Sequence, residues 1–157
     1  MPKNYLSIYA KSFNWAGFFL PKKIYKKCSS LYDFCRTIDD IADQELELII
    51  KIKQFKKFKD NFKNKDFNNH IIKNMHEVID GCGISKKVVY DLFDGVESDL
   101  KKEVKINSKE ELLIYSYRVA GTVGLMMAKI LKVKKQNALK SAIDLGIAMQ
   151  LTNIARD

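Results

Sequence analysis

The segment Tyr32-Asp33-Phe34-Cys35-Arg36-Thr37-Ile38-Asp39-Asp40-Ile41-Ala42-Asp43 decides how this chain is read. On a helix, Tyr32, Arg36, Asp39 and Asp43 fall at i, i+4, i+7 and i+11 and form one stripe. Such a stripe is normally apolar and faces the core. Here it carries a phenol, a guanidinium and two carboxylates. Asp39 and Asp43 lie one turn apart, roughly 6 Å along the axis. Like charges at that spacing repel and weaken a helix slightly. A divalent cation between them reverses the sign of the interaction. Mg²⁺ suits this role, because it takes one or two carboxylates, keeps waters and completes its shell with substrate phosphate. Asp40 points about 100° away around the helix and is a weaker ligand candidate. A solvated acidic face near a helix end is the competing reading, and Asp-x-x-x-Asp alone does not separate the two.

A second polar patch closes the chain. In Gln150-Leu151-Thr152-Asn153-Ile154-Ala155-Arg156-Asp157, the residues Gln150, Asn153 and Asp157 stand at i, i+3 and i+7. The line that leads to them, Ile143, Gly146 and Ile147, is apolar or small. A core-facing stripe therefore turns polar at its end, where Asn153 and Asp157 offer two oxygen ligands one turn apart. Two helices, each with a polar patch on an inward face, suggest one shared site.

Between them lies Tyr115-Ser116-Tyr117-Arg118-Val119-Ala120-Gly121-Thr122-Val123-Gly124-Leu125. Glycine inside a helix costs about 1 kcal/mol relative to alanine, so Gly121 and Gly124 call for a reason. One is close packing of a neighbouring helix. The other is a loosened turn whose exposed carbonyl dipoles stabilise positive charge without offering a nucleophile.

The rest of the chain reads as helix and connection. A first helix is predicted over about 5–19, broken at Leu20-Pro21, with Pro21 suited to the first turn of the next. That second helix runs from about 22 to 41 or a little beyond, and a lysine-rich third ends near Phe62. Residues 63–69 read as a loop. A short helix over about 70–80 ends at Gly81-Cys82-Gly83. Ser85 can cap another that reaches about Lys101. Ser108 and Glu111 form a capping-box pattern, and the helix they start continues through Ile130. The last begins near Lys135 and is still running at Asp157. Aspartate is disfavoured at the negative end of a helix, so the chain reads as one cut inside a helix, a single domain over 1–157 that is incomplete at its C-terminal side.

Composition agrees. The chain has 157 residues, 46% of them hydrophobic, with two prolines, enough for one all-α domain with a core. The net charge is +9, almost all from lysine. Arginine occurs only at Arg36, Arg118 and Arg156, two of them beside the acidic patches, and its planar fork of donors marks it as a specific choice. The lysines read as solvated helix faces, and no nucleic-acid-binding signature is present. Cys28, Cys35 and Cys82 lack metal spacing and fit reduced thiols in a cytoplasmic protein. There is no signal-peptide core and no run long enough to span a bilayer.

At this point the residues resemble a known family. Lys11-Ser12-Phe13 through Leu20-Pro21, then Tyr32-x-Phe34-Cys35-Arg36-x-x-Asp39-Asp40-x-x-Asp43, are similar to squalene/phytoene synthases. So are Asp94-Gly95-x-x-x-Asp99-Leu100, Tyr115 with 119–125, and Gln150-Leu151-x-Asn153-Ile154-x-Arg156-Asp157. The resemblance implies an isoprenoid synthase helical bundle around a deep, mostly apolar cavity. It implies Asp39, Asp43, Asn153 and Asp157 as ligands of Mg²⁺, with Mn²⁺ as an alternative ion. Arg36 and Arg156 would contact diphosphate, and Ser12, Tyr32 and Gln150 would line its site. Tyr115 and residues 119–124, Val119 and Gly124 among them, would line the reacting centre, while Phe13 and Phe34 would wall the prenyl channel or fill core, core being favoured for most such residues. The implied reaction joins two prenyl diphosphates head to head through a cyclopropylcarbinyl diphosphate. Geranylgeranyl diphosphate giving phytoene is favoured, on Asp39-Asp40-x-x-Asp43 and Gly121-Thr122-Val123-Gly124-Leu125-Met126-Met127.

The chain departs from the family at its end, since the second motif is Asp-x-x-x-Asp and its second aspartate would fall beyond Asp157. The expected function is therefore that of the parent protein, with this chain inactive alone. Three alternatives stand beside it. Farnesyl diphosphate could be the substrate, giving presqualene diphosphate, squalene or dehydrosqualene, with NADPH needed only for reductive squalene synthesis. A non-catalytic scaffold could use the same fold, although retention of the acidic residues argues against it. The basic faces could also dock peripherally on the inner face of an anionic membrane, which is compatible with catalysis.

Overall fold

The computed structural model describes residues 15, 17–101, 103 and 105–157. Most of the predicted first helix, with Ser12 and Phe13, lies outside the described residues; Trp15 and Gly17 are helical and residues 18–19 form a turn. From Lys22 onward the elements are α1 (Lys22–Asp43), α2 (Leu48–Lys63), α3 (His70–Cys82), α4 (Lys86–Asp99), α5 (Lys109–Ser116), a π-helical turn (Tyr117–Gly121), α6 (Thr122–Ile130) and α7 (Gln136–Arg156). No strand occurs among the described residues.

Helix boundaries follow local chemistry. Pro21 begins α1, and Asn69 caps α3 by accepting from the amides of Ile71 and Ile72. Gly83 ends α3 in the left-handed region at φ +62°, a conformation glycine adopts without a Cβ penalty. Ser108 Oγ accepts from the Glu111 amide at 3.1 Å. The expected return bond is displaced by one residue: the Glu111 carboxylate accepts from the amide of Asn107, at 2.7 Å. Ser85 occupies the cap position of α4 without a side-chain bond, and α4 stops at Asp99, short of Lys101.

The core sits where α1 meets α2, α3, α4 and α6. Phe34 of α1 is fully buried, with ring centroids 5.9 Å from Phe58, 5.3 Å from Phe62 and 5.6 Å from Phe93. Each such ring contributes roughly 2–3 kcal/mol by leaving water. Phe34 is thus core, as expected. His76 stacks on Phe62 and its Nε2 lies 3.0 Å from the Phe62 carbonyl oxygen. An acceptor there requires the proton on Nε2. Cys28 and Cys35 are buried, and all three cysteines are free thiols.

Helix α7 is different. Leu139 is its only buried residue, and it packs mainly on α6 and the π turn. That packing seats the second polar patch on α6 and the π turn, with no comparable contact to α1 among the described residues.

Candidate active site

The C-terminal half of α1 is locked into the core by Leu31, Phe34, Cys35 and Ile38. Tyr32, Arg36 and Asp39 interleave with these and stay half-buried, with Asp43 exposed at the helix end. Arg36 donates from Nη1 to the Tyr32 hydroxyl at 3.2 Å, and its Nε stands 3.5 Å from Asp40 Oδ2. Tyr32 and Arg36 therefore act as a unit. Asp40 turns outward to Arg36.

Burial pushes Asp39 up to about 7, with Asp43, Asp40 and Asp99 adding repulsion. Asp43 is also raised, mainly by desolvation, while Lys51 pulls it back. Lys51 explains itself locally: its ammonium donates to the Ala42 carbonyl at 2.9 Å and so covers the negative end of α1.

Asp99 closes the same patch from another helix. It is the last residue of α4, and its Oδ2 accepts from the Tyr115 hydroxyl of α5 at 3.0 Å. Its pKa rises to about 6 through desolvation, moderated by the Tyr115 bond and raised again by Asp43. The Tyr115 phenol is raised in turn by its surroundings and by Asp99, Asp39 and Asp43. Asp39, Asp43, Asp99 and Tyr115 thus share one field. Asp99 was quoted within a motif but given no role by sequence reasoning. The sequence carried no clear signal for it, because the helix was expected to reach Lys101 and only the structure ends it at Asp99. Its predecessor Asp94 is instead used structurally, 3.2 Å from Lys59 Nζ, with Glu97 at 2.7 Å.

The glycines lie where helices pack closely, and a π turn stands beside them. The π turn spans Tyr117–Gly121, a form common at functional sites. A Cβ at Gly124 would run into the Ala142 carbonyl of α7, and one at Gly146 into the Ala120 carbonyl. Gly121 faces Ile143 and Ile147, the stripe expected to point inward. Val119 packs toward Gly95 of α4, where an added Cβ would meet its Cγ1 at 2.9 Å. Val119 and Gly124 therefore hold α4, the π turn and α7 together.

On α7, Gln150 and Asn153 are half-buried and Arg156 and Asp157 exposed. Arg156 donates from Nη2 to Asn153 Oδ1 at 3.1 Å, and its Nε lies 3.7 Å from Asp157 Oδ1. Ser12 lies outside the described residues. Beside Tyr115 a recess of about 340 Å³ is lined by Lys101, Lys105 and Arg118 together with Glu111, Ile106 and Ile114.

Among the described residues no three His, Cys, Asp or Glu side chains gather closely enough to hold an ion by themselves. The acids are spread over an open site. Asp43 and Asp99 each end a helix that has no basic residue in its last turn; Lys51 from α2 reaches the first and the Tyr115 hydroxyl the second.

The chain matches the squalene/phytoene synthase family over residues 6–157. It is 29% identical to the 15-cis-phytoene synthase of Pantoea ananas, covering 97% of this chain and 53% of that protein. It is 33% identical to the 4,4'-diapophytoene synthase of Staphylococcus haemolyticus, covering 95% of this chain and 54% of that protein. A crystal structure of a dehydrosqualene synthase in complex with ligand superposes with a TM-score of 0.74 at 30% identity, over 98% of this chain and 54% of that one. The chain spans about half the length of the curated relatives it matches. With an all-helical fold of the expected kind and a match along nearly its whole length, the chain belongs to the squalene/phytoene synthase family.

Proposed function

We propose that the protein carrying this chain is a Mg²⁺-dependent prenyltransferase that condenses two prenyl diphosphates head to head, with geranylgeranyl diphosphate as substrate and phytoene as product. The observation that carries the reading is Asp39, held at about 7 by burial and by three neighbouring carboxylates. Burial and neighbouring carboxylates disfavour its charged form, and a cation bound there would favour it, which makes Asp39 a candidate functional group. Asp39 and Asp43, with Asn153 and Asp157, would hold Mg²⁺. Mn²⁺ meets the same oxygen donors.

When bound, the ion supplies charge neutralisation for the leaving diphosphate. Arg36, steadied by Tyr32, offers a fork of donors to phosphate oxygens, as does Arg156. Gln150 and Ser12 would contribute polar contacts at the same end. Tyr115 holds Asp99 and presents its ring beside the reacting carbons. The π turn, with Val119 and Gly124, fixes the wall against which the cation develops. One allylic diphosphate ionises, the double bond of the second attacks, and loss of a proton closes the cyclopropane; the cyclopropylcarbinyl diphosphate then ionises in turn, and loss of a second proton gives the coupled chain, with two diphosphates released.

Farnesyl diphosphate is the second reading, favoured by the similarity to the diapophytoene and dehydrosqualene synthases. Among the described residues no helix is long and apolar enough to cross a membrane. Because the product is a lipid, a cytoplasmic enzyme resting on the inner face of the membrane belongs to the same proposal.

The test is turnover of both substrates by the full-length protein, with and without Mg²⁺, beside Asp39→Asn. Phytoene formed only with Mg²⁺, and lost in the variant, supports the reading; product from farnesyl diphosphate alone moves it to the shorter substrate. A folded full-length protein that turns over neither is a scaffold.

A further inference from the structure

Helix α2 presents a face that no described residue covers. Its inward side is Phe55, Phe58 and Phe62, all buried. On the helical wheel Ile49, Lys53, Lys56 and Lys57 lie on the far side, with Ile50 and Ile52 flanking them. Ile49 is 72% exposed, Ile52 43%, Ile50 40%, and Leu46 just before the helix 43%. Isoleucine is an indifferent helix former, so propensity does not explain its choice at solvent positions. The apolar side chains are also not scattered, since they crowd the first turn and the residue that leads into it.

The lysines complete the pattern. The helix LIIKIKQFKKFKDNFK carries six lysines against one aspartate. Lys59 is engaged by Asp94 and Glu97, and Lys51 by the Ala42 carbonyl. Lys53, Lys56 and Lys57 are exposed on the outward face. An apolar wedge beside a cluster of lysines suits one partner better than others. Protein interfaces are depleted in lysine, whereas a bilayer with anionic headgroups attracts it and accepts apolar side chains at the acyl boundary.

We infer that the outward face of α2 is a membrane-docking surface, with Leu46, Ile49, Ile50 and Ile52 entering the headgroup boundary of an anionic bilayer and Lys53, Lys56 and Lys57 contacting its phosphates. The surface begins directly after Asp43, so docking here would set the acidic end of α1 close to the bilayer from which prenyl chains arrive and into which product leaves. This deepens the peripheral placement proposed above and needs no turnover, so its failure leaves the catalytic reading standing.

The experiment is sedimentation of the full-length protein with vesicles of phosphatidylcholine, alone or mixed with phosphatidylglycerol. Binding is expected only to the mixed vesicles and is expected to weaken with salt. Lys53→Gln, Lys56→Gln and Lys57→Gln are each expected to weaken it about fivefold, and Ile49→Ser with Ile52→Ser about tenfold or more. Equal binding to both vesicle types, no binding, or variants that sediment like the parent overturn the inference. Circular dichroism checks that the variants are folded. The thiol of an Ile49→Cys variant supplies the second measurement: it should react freely with a maleimide without vesicles and be protected by mixed ones. A thiol already protected in the absence of lipid means that protein covers this face, which also overturns the inference.

Discussion

The hydroxyl of Tyr115 donates to Oδ2 of Asp99 across 3.0 Å, tying α5 to the C-terminal end of α4. This bond opposes the desolvation that raises Asp99, and it orients a carboxylate that shares a field with Asp39 and Asp43.

Tyr115→Phe is therefore expected to let Asp99 rise further above about 6. Stability should fall by about 1 kcal/mol in urea unfolding. Turnover by the full-length protein should fall about tenfold or more, with the acidic limb of its pH profile moved to higher pH. A profile that keeps its position would show that Tyr115 acts only through packing.

Stability without metal is expected to decline as pH rises. The native state holds the Asp39 proton up to about 7 and the Asp99 proton up to about 6, while the unfolded chain releases both near 4. Between these values the native state binds more protons, so unfolding becomes easier with increasing pH and levels off above about 7. The effect should be of order 1–3 kcal/mol after solvent screening. Mg²⁺ should raise the melting temperature more at about pH 8 than at about pH 5, because it competes with those protons. Identical Mg²⁺ effects at both pH values would count against Asp39 as a ligand.

Two glycine substitutions should act in opposite directions. Gly124→Ala drives a Cβ into the Ala142 carbonyl and should destabilise by about 1–3 kcal/mol, displacing Asn153 and Asp157 with α7. Gly81→Ala meets only Lys27 Nζ at 3.6 Å and lies in α3, so it should be neutral or stabilise by up to about 1 kcal/mol. Chemical denaturation of the two variants side by side reads the difference.

Phe34→Ala should cost about 3–5 kcal/mol, since the ring stands against Phe58, Phe62 and Phe93 at once. Calorimetry of the full-length variant would show it. A loss below about 1 kcal/mol would mean that the rings close over the gap.

The sequence alone determined the helical class, most boundaries, and the stripe of Tyr32, Arg36, Asp39 and Asp43. These follow from periodicity, proline and glycine placement and capping, which are local along the chain. Gly83 at the end of α3 and Asn69 at the start of it are both readable that way. The tertiary structure decided what local rules do not carry. It brought Asp99 from α4 and Tyr115 from α5 to the acids of α1, which no spacing along one helix encodes. It assigned Lys51 to the end of α1 and Lys59 to α4, where one-dimensional reading saw only a solvated lysine face. It also showed that Gly124 and Gly146 admit the backbones of facing helices. The physical reason is the same in each case. A helix dictates which of its side chains share a face, whereas the field at a carboxylate and the room around a glycine depend on what another helix places there.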